Sequence, residues 1–467
     1  MRAGRAERGE LGARVQLTGR RGSRAVAAAT ALLLCGAVPL AGCGTRLPAR
    51  DFAGPAPSAV GGNPASDTGV TPTQVKVGIV TSLTSPLGTE VLSGPRYGAL
   101  AFFQALNAAG GLHGRSVQVV TCDDSGSGFG NQACVHKLID QDQVFAFTAG
   151  SVLDYAGAPY VSARAVPDVG SQPLGTEYDR YPHLYGIYGS SAPRDGRSVG
   201  WDGTLFLSTE VYRFFKERLG VKRAAVVAYN QAESLSYAHQ IEQGLAAEGY
   251  HVLTQTVDLA LPAFPAVATA LAADGTQVVF DAMDTRGNTG LCQALDAAGV
   301  KLVAKVTNVQ NWTQTVGTDF ASAPGCRDAL WATSASRNYE DTRYPAVAQF
   351  RGAVAKYFPD REPLLSAWEL EGWAGAQWLT DAMDSCGAQL TRACVERFMN
   401  RTQPYDAHGL LIPTGFTPEP RPSGLTHACL DVARWQQSTP AGRPGWVTQV
   451  PDMNTNCFDV PQLPYQP

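Results

Sequence analysis

The sequence predicts an α/β protein built as two lobes, each a parallel sheet wrapped by helices. Three observations point there. From Val75 onward, short runs rich in β-branched residues alternate with longer amphipathic stretches, the pattern of strands that return to one sheet through helices. The alternation lapses after Val169 and restarts near Leu207, which marks a second unit of similar make-up. A chain of 467 residues, 44% hydrophobic and 17% charged, is also long enough for two compact cores rather than one.

The elements follow in order. Val75–Thr81 reads as a buried strand, and Pro95 opens a helix in which Ala99, Phe102, Phe103 and Leu106 share one face before Gly110 and Gly111 end it. Ser116–Thr121, Val144–Thr148 and Val166–Val169 are the next strands, with a helix over Asn131–Asp140 between the first two. In the second unit Leu207, Val211, Phe214 and Phe215 form an amphipathic helix stopped by Gly220, and Ala224–Tyr229 is a buried strand. Helices over Ser236–Glu248, Pro265–Ala273 and Gly290–Ala298 then alternate with strands at Val252–Val257, Gln277–Phe280, Lys301–Val306 and Leu330–Thr333. Three further helical stretches, Tyr344–Phe358, Leu365–Met383 and Cys394–Asn400, precede a Pro-rich tail poor in strands.

Ahead of this body, the first 24 residues carry seven Arg against Glu7 and Glu10, and the apolar stretch Ala25–Gly42 follows. Together these are the basic and hydrophobic regions of a secretory signal. Leu40-Ala41-Gly42-Cys43 resembles a bacterial lipobox, in which the Cys thiol receives diacylglycerol before cleavage. A transmembrane anchor is the competing reading, and Pro39 and Gly42 disfavour it by spoiling a spanning helix. Residues 1–42 are therefore expected to be a signal peptide, Cys43 the lipidated residue, and 43–73, rich in Pro, Ala, Gly and Ser, a disordered tether. Beyond the first 24 residues the net charge is −9, which gives no long-range attraction to nucleic acid.

Eight cysteines lie in the body: Cys122, Cys134, Cys292, Cys326, Cys386, Cys394, Cys429 and Cys457. An even number in an exported chain argues for disulfides. Eight cysteines admit about a hundred pairings, of which neighbour with neighbour is the most economical. No C-x-x-C occurs, which weakens zinc and thioredoxin-like readings.

Catalytic patterns are sparse. Gly196-Arg197-Ser198-Val199-Gly200 matches the G-x-S-x-G nucleophile elbow, but that motif needs an apolar strand before the serine, and here loop-forming residues precede it. No histidine falls in H-E-x-x-H or another metal-ligand spacing. Gly126-Ser127-Gly128-Phe129-Gly130 lacks the third glycine of a dinucleotide cradle. The chain is read as a non-enzyme with no cofactor.

A more specific likeness comes from Val75-Lys76-Val77-Gly78-Ile79-Val80, then Gly94-Pro95 opening a helix that ends Leu106-Asn107-Ala108-Ala109-Gly110-Gly111-Leu112-His113-Gly114-Arg115, then Asp123-Asp124 after the next strand. This series resembles the branched-chain amino-acid-binding (Leu/Ile/Val-binding) family, type I periplasmic binding proteins of ABC importers. The resemblance implies two Rossmann-like lobes with parallel sheets joined by a three-crossing hinge, with crossings near Tyr185–Tyr188, Trp331–Thr333 and Leu411–Gly415. Lobe 1 would then own residues 74–186 and 333–411, and lobe 2 residues 187–332 and 412–467. It also implies a Cys122–Cys134 bridge, a ligand-facing residue near Trp368, and an ABC permease and ATPase as partners.

In open parallel sheets ligands bind beyond the carboxyl ends of strands. That rule nominates Leu87, Gly88, Ser151, Tyr155 and Ser171 in lobe 1, and Glu233, Ser234, Asp284, Thr285 and Asn308 in lobe 2. Members that bind α-amino acids carry several small hydroxyl residues after the third strand, where this chain has Gly150-Ser151-Val152-Leu153-Asp154-Tyr155. An amino acid, an amide or a related small polar compound is the expected ligand class, with a sensory module of the same fold and a secreted serine hydrolase as the alternatives.

Overall fold

The computed structural model describes residues 62–467 except 86, 87, 90, 91 and 308, so the signal, lipobox and Cys43 assignments lie outside the described residues, as do Leu87 and Asn308. The first lobe is built from β1 (Gln74–Thr81), α1 (Gly94–Ala108), β2 (Ser116–Asp123), α2 (Gly128–His136), β3 (Ala146–Thr148), α3 (Ala158–Ala163), β4 (Asp168–Ser171) and β5 (Leu184–Gly186). Its five strands are all parallel, in the order β2-β1-β3-β4-β5. Val75, Val77 and Ile79 of β1 are fully buried, as a strand covered on both faces requires.

In the second lobe come β6 (Leu205–Ser208), α4 (Glu210–Leu219), β7 (Arg223–Tyr229), α5 (Ala232–Ala247), β8 (His251–Val257), α6 (Phe264–Asp274), β9 (Val278–Ala282), α7 (Thr285–Ala297), β10 (Ala304–Thr307) and β11 (Leu330–Ser334). Leu207, expected on a helix, lies in β6. The helix itself starts at Glu210 and ends where Gly220 takes a left-handed φ of 68° that a side chain would resist.

After β11 the chain returns to the first lobe as α8 (Pro345–Tyr357), α9 (Ala367–Asp384) and α10 (Arg392–Met399). Helix α9 packs against α1 and β4 through glycines. A Cβ on Gly98 would stand 1.8 Å from Glu369 O, one on Gly372 1.9 Å from Pro95 O, and one on Gly170 2.2 Å from Gly375 Cα. No larger residue fits that contact.

The C-terminal segment differs from the expected strand-poor tail. It holds β12 (Leu425–Cys429), β13 (Asp431–Gln436), β14 (Gly445–Thr448) and β15 (Cys457–Tyr465). Strands β13 and β14 add antiparallel to the second sheet, giving the order β8-β7-β9-β10-β11-β13-β14, while β12-β15-β6 forms a small sheet of its own. Pro461 and Pro464 made β15 hard to read as a strand. It tolerates them because its first half pairs only with β12 and its second half only with β6, so each residue needs hydrogen bonds on one side alone.

Disulfides join Cys122 to Cys134, Cys292 to Cys326, Cys386 to Cys394 and Cys429 to Cys457. Among the described residues no helix is long and apolar enough to cross a membrane.

Candidate ligand-binding cleft

Three chain segments pass between the lobes and bind one another. Ser190 N donates to Gly415 O at 3.0 Å, Ile412 N to Ala335 O at 2.8 Å and Arg337 N to Leu410 O at 2.8 Å, while Thr414 Oγ1 donates to Tyr188 O at 2.9 Å. Strand β11 runs to Ser334 before its segment leaves the second sheet. Glu371 of α9 is buried at this junction, where its carboxylate accepts from Ser336 Oγ (2.7 Å), Gln172 Nε2 (2.9 Å), Tyr188 Oη (3.0 Å) and Ser334 Oγ (3.2 Å). Burial raises its pKa, against the opposing pull of those four donors. One side chain thereby ties the first lobe to two of the crossing segments.

Beside the junction, at the carboxyl ends of β9, β10 and β11, lies a pocket of about 310 Å³. Tyr188, Tyr212, Tyr237 and Phe280 supply aromatic wall, and Val211, Ile241, Val306 and Val309 aliphatic wall. Its polar groups are Ser208, Asp281, Thr307, Thr333 and Ser334. Phe280 meets Tyr212 edge to face at 5.3 Å. Asp281 is held by Lys305 on the neighbouring strand, by Asn288 Nδ2 at 2.7 Å and by Met283 N at 3.3 Å, and both charged side chains are fully buried. Asn288 Oδ1 takes a further bond from Lys305 Nζ at 2.5 Å. Thr307 Oγ1 is buried and makes no hydrogen bond.

A family model described as periplasmic binding protein matches residues 74–441. The chain belongs to the periplasmic binding protein family. No curated protein matches it. Solved structures with the same fold include a fatty acid ABC transporter substrate-binding protein from Thermomonospora curvata, 17% identical, with 84% of this chain and 94% of that one covered and a TM-score of 0.61. A branched-chain amino acid transporter substrate binding protein of Streptococcus pneumoniae in complex with isoleucine is 14% identical, covers 80% and 100%, and scores 0.58. An ABC transporter solute binding protein of Rhodopseudomonas palustris in complex with 3,4-dihydroxybenzoic acid is 13% identical, covers 83% and 97%, and scores 0.59.

In this periplasmic binding protein none of the described residues nominated from sequence lines the 310 Å³ pocket. Tyr155 Oη and Ser171 Oγ both donate to the buried Asp168, at 2.8 and 2.5 Å, with Tyr178 Oη a third donor at 2.9 Å. Ser151 is buried with its hydroxyl unbonded. Ser234 Oγ bridges Tyr229 N and Ala282 O, and Thr285 Oγ1 donates to Asn311 Oδ1 at 2.6 Å. Asp284 caps α7 by accepting from Gly287 N at 2.9 Å and also takes the Tyr229 hydroxyl at 2.7 Å. Gly88 pairs within a two-residue β contact, Glu233 lies in the first turn of α5, and Trp368 is buried near the start of α9 with its indole N–H unbonded. Ser198 lies in irregular chain with no strand before it, so the elbow geometry of a serine hydrolase is missing there.

The pocket residues that sequence reasoning missed are Tyr188, Tyr212 and Thr307 above all. Asp281 in β9 and Tyr237 in α5 border the strand-end positions of the nominated Asp284 and Glu233.

Proposed function

We propose that this protein is an extracytoplasmic solute-binding lipoprotein, anchored through Cys43, that captures a small molecule between its lobes and hands it to an ABC permease and ATPase. The observation that carries the reading is the pocket at the carboxyl ends of β9, β10 and β11, placed where three hydrogen-bonded segments pass between the lobes. Closure by rotation about those segments would bring the strand ends of the first lobe, at Ser151 and Gln172, over the pocket. Similarity in fold to transporter substrate-binding proteins supports the delivery step. A thermal-shift screen of the mature protein against amino acids, amides, sugars and aromatic compounds tests capture. A saturable shift that Ile241→Trp abolishes by filling the pocket is expected, and a shift unaffected by that substitution would move the site elsewhere. Loss of lipid labelling in Cys43→Ser tests the anchor.

A further inference from the structure

We infer that Cys429, Cys457 and His427 form a zinc site that takes the place of the Cys429–Cys457 disulfide when a dithiol reduces it. The inference goes beyond solute capture and does not depend on it, since none of the three residues lines the 310 Å³ pocket.

The placement follows from strand register. Strands β12 and β15 are antiparallel, with Cys429 directly opposite Cys457 and His427 directly opposite Asp459. Side chains two residues apart on a strand share a face, so these residues project from one face of the small sheet β12-β15-β6. A ring nitrogen of His427 and the sulfurs of Cys429 and Cys457 lie within 4.8 Å of one another, the only group of three such donors among the described residues. The side chains of His427 and Asp459 are 68% and 73% exposed and both cysteines are half-buried, so reductant and ion have access. Cys292 and Cys326, by contrast, are buried.

The donor set is one that zinc takes. Two thiolates and an imidazole bind it at about 2.3 Å and about 2.0 Å, which places tetrahedral donors roughly 3.3–3.8 Å apart. With the S–S bond broken, side-chain rotation lets the sulfurs separate to that spacing. Asp459 Oδ1 stands 2.9 Å from His427 Nδ1. A carboxylate on one ring nitrogen orients the imidazole and leaves Nε2 to ligate. Water completes the fourth position.

A dithiol supplies the two electrons. Its thiolate attacks one sulfur of the bridge, the S–S bond breaks to a mixed disulfide, and its second thiol then displaces the other cysteine. The reductant leaves as a disulfide, and its two protons end on Cys429 and Cys457. Zn2+ takes both sulfurs as thiolates and sends those protons to solvent. Strand β12 is the edge of its sheet and Cys429 its last residue, so the strand stays cross-linked to β15 in either redox state.

Reduction of the mature protein with dithiothreitol, without denaturant, tests this. Differential alkylation and peptide mapping should find Cys429 and Cys457 reduced, and titration should then show one equivalent of Zn2+ bound and released by a chelator. Co2+ in its place should give the visible bands and thiolate charge transfer of a tetrahedral site. His427→Ala, which retains the disulfide for folding, should weaken zinc at least tenfold and Asp459→Ala about tenfold, with the melting temperature of the oxidised protein unchanged. Cys429→Ser combined with Cys457→Ser should abolish binding. Any one of four results would overturn the proposal: a pair that stays oxidised, loss of the fold on reduction, equal zinc binding by the double serine variant, or an affinity that His427→Ala leaves unchanged.

Discussion

Each lobe buries a carboxylate in a parallel strand, Asp168 at the amino end of β4 and Asp281 near the carboxyl end of β9, and the two are partnered differently. In the first lobe Asp168 is surrounded by three hydroxyls and no cation. In the second, Asp281 has a lysine from the next strand. Neutral donors stabilise the anion only in part, so burial still raises the pKa of Asp168 above the ordinary carboxylate value. A buried ion pair cancels its own charge but tolerates no loss of either member. The lobe with the ion pair is also the one that carries the open pocket, so its wall can hold an acid without presenting net charge to a ligand.

The largest effect expected from this difference is at Lys305. Lys305→Met leaves Asp281 buried without its cation and should cost about 3–5 kcal/mol in chemical denaturation. Replacing both, Lys305→Met with Asp281→Leu, should recover most of that loss, since an apolar pair removes two desolvated charges together. A double variant as unstable as the single one would show that the pair has a structural role beyond its charge.

Next in size is a pH dependence. Asp431 in β13 resembles Asp168 in having only uncharged donors, the backbone N–H groups of Asn338 at 2.7 Å and Val432 at 2.9 Å. Burial pushes its pKa up to about 6, partly offset by those bonds. Because the folded form holds this proton more tightly than the unfolded form, the contribution is greatest at low pH. It is lost as pH rises from about 4 to about 6, by up to about 3 kcal/mol. Asp431→Asn should flatten that part of the stability profile, and an unchanged slope would place the titration elsewhere.

Smaller again is Tyr155→Phe, which removes one of the three hydroxyls on Asp168. The carboxylate keeps Tyr178 and Ser171, so the loss should be about 1–2 kcal/mol, with ligand affinity unaffected if Tyr155 serves only Asp168.

These acids also show what the sequence reveals and what it hides. The alternation of strands and helices, the stop at Gly220 and the strand-end rule depend on local pattern, and the lobes and the cleft could be read from them. The pocket's own wall could not. Periodicity marks Tyr212, Ile241 and Phe280 as inward-facing but does not distinguish a residue packed in the core from one beside a gap. Nor could the engagement of Tyr155 and Ser171 be read from their own positions, since a hydroxyl in a strand-end loop has the same appearance whether it faces a ligand or an acid behind it. A usable signal existed in the strands themselves. Asp168, Asp281 and Lys305 each interrupt an apolar run, and a charge there demands a partner close by.

The smallest effect, and the one that tests the boundary between scaffold and site, belongs to Asp284. It stands in a strand-end loop among the residues nominated for the ligand, yet its Oδ1 accepts from Gly287 N, the N3 amide of α7, and from Tyr229 Oη. A cap bond of this type contributes about 1 kcal/mol. Asp284→Ala should therefore lower stability by about that amount, or somewhat more through the freed tyrosine hydroxyl, and leave the dissociation constant for the solute within about twofold. Asp284→Asn keeps an acceptor oxygen at the cap and should restore most of the stability. If instead the alanine variant binds about 30-fold more weakly while unfolding normally, the carboxylate reaches the ligand in the closed form. The solute would then carry a donor or cationic group that meets Asp284 beside its cap bond.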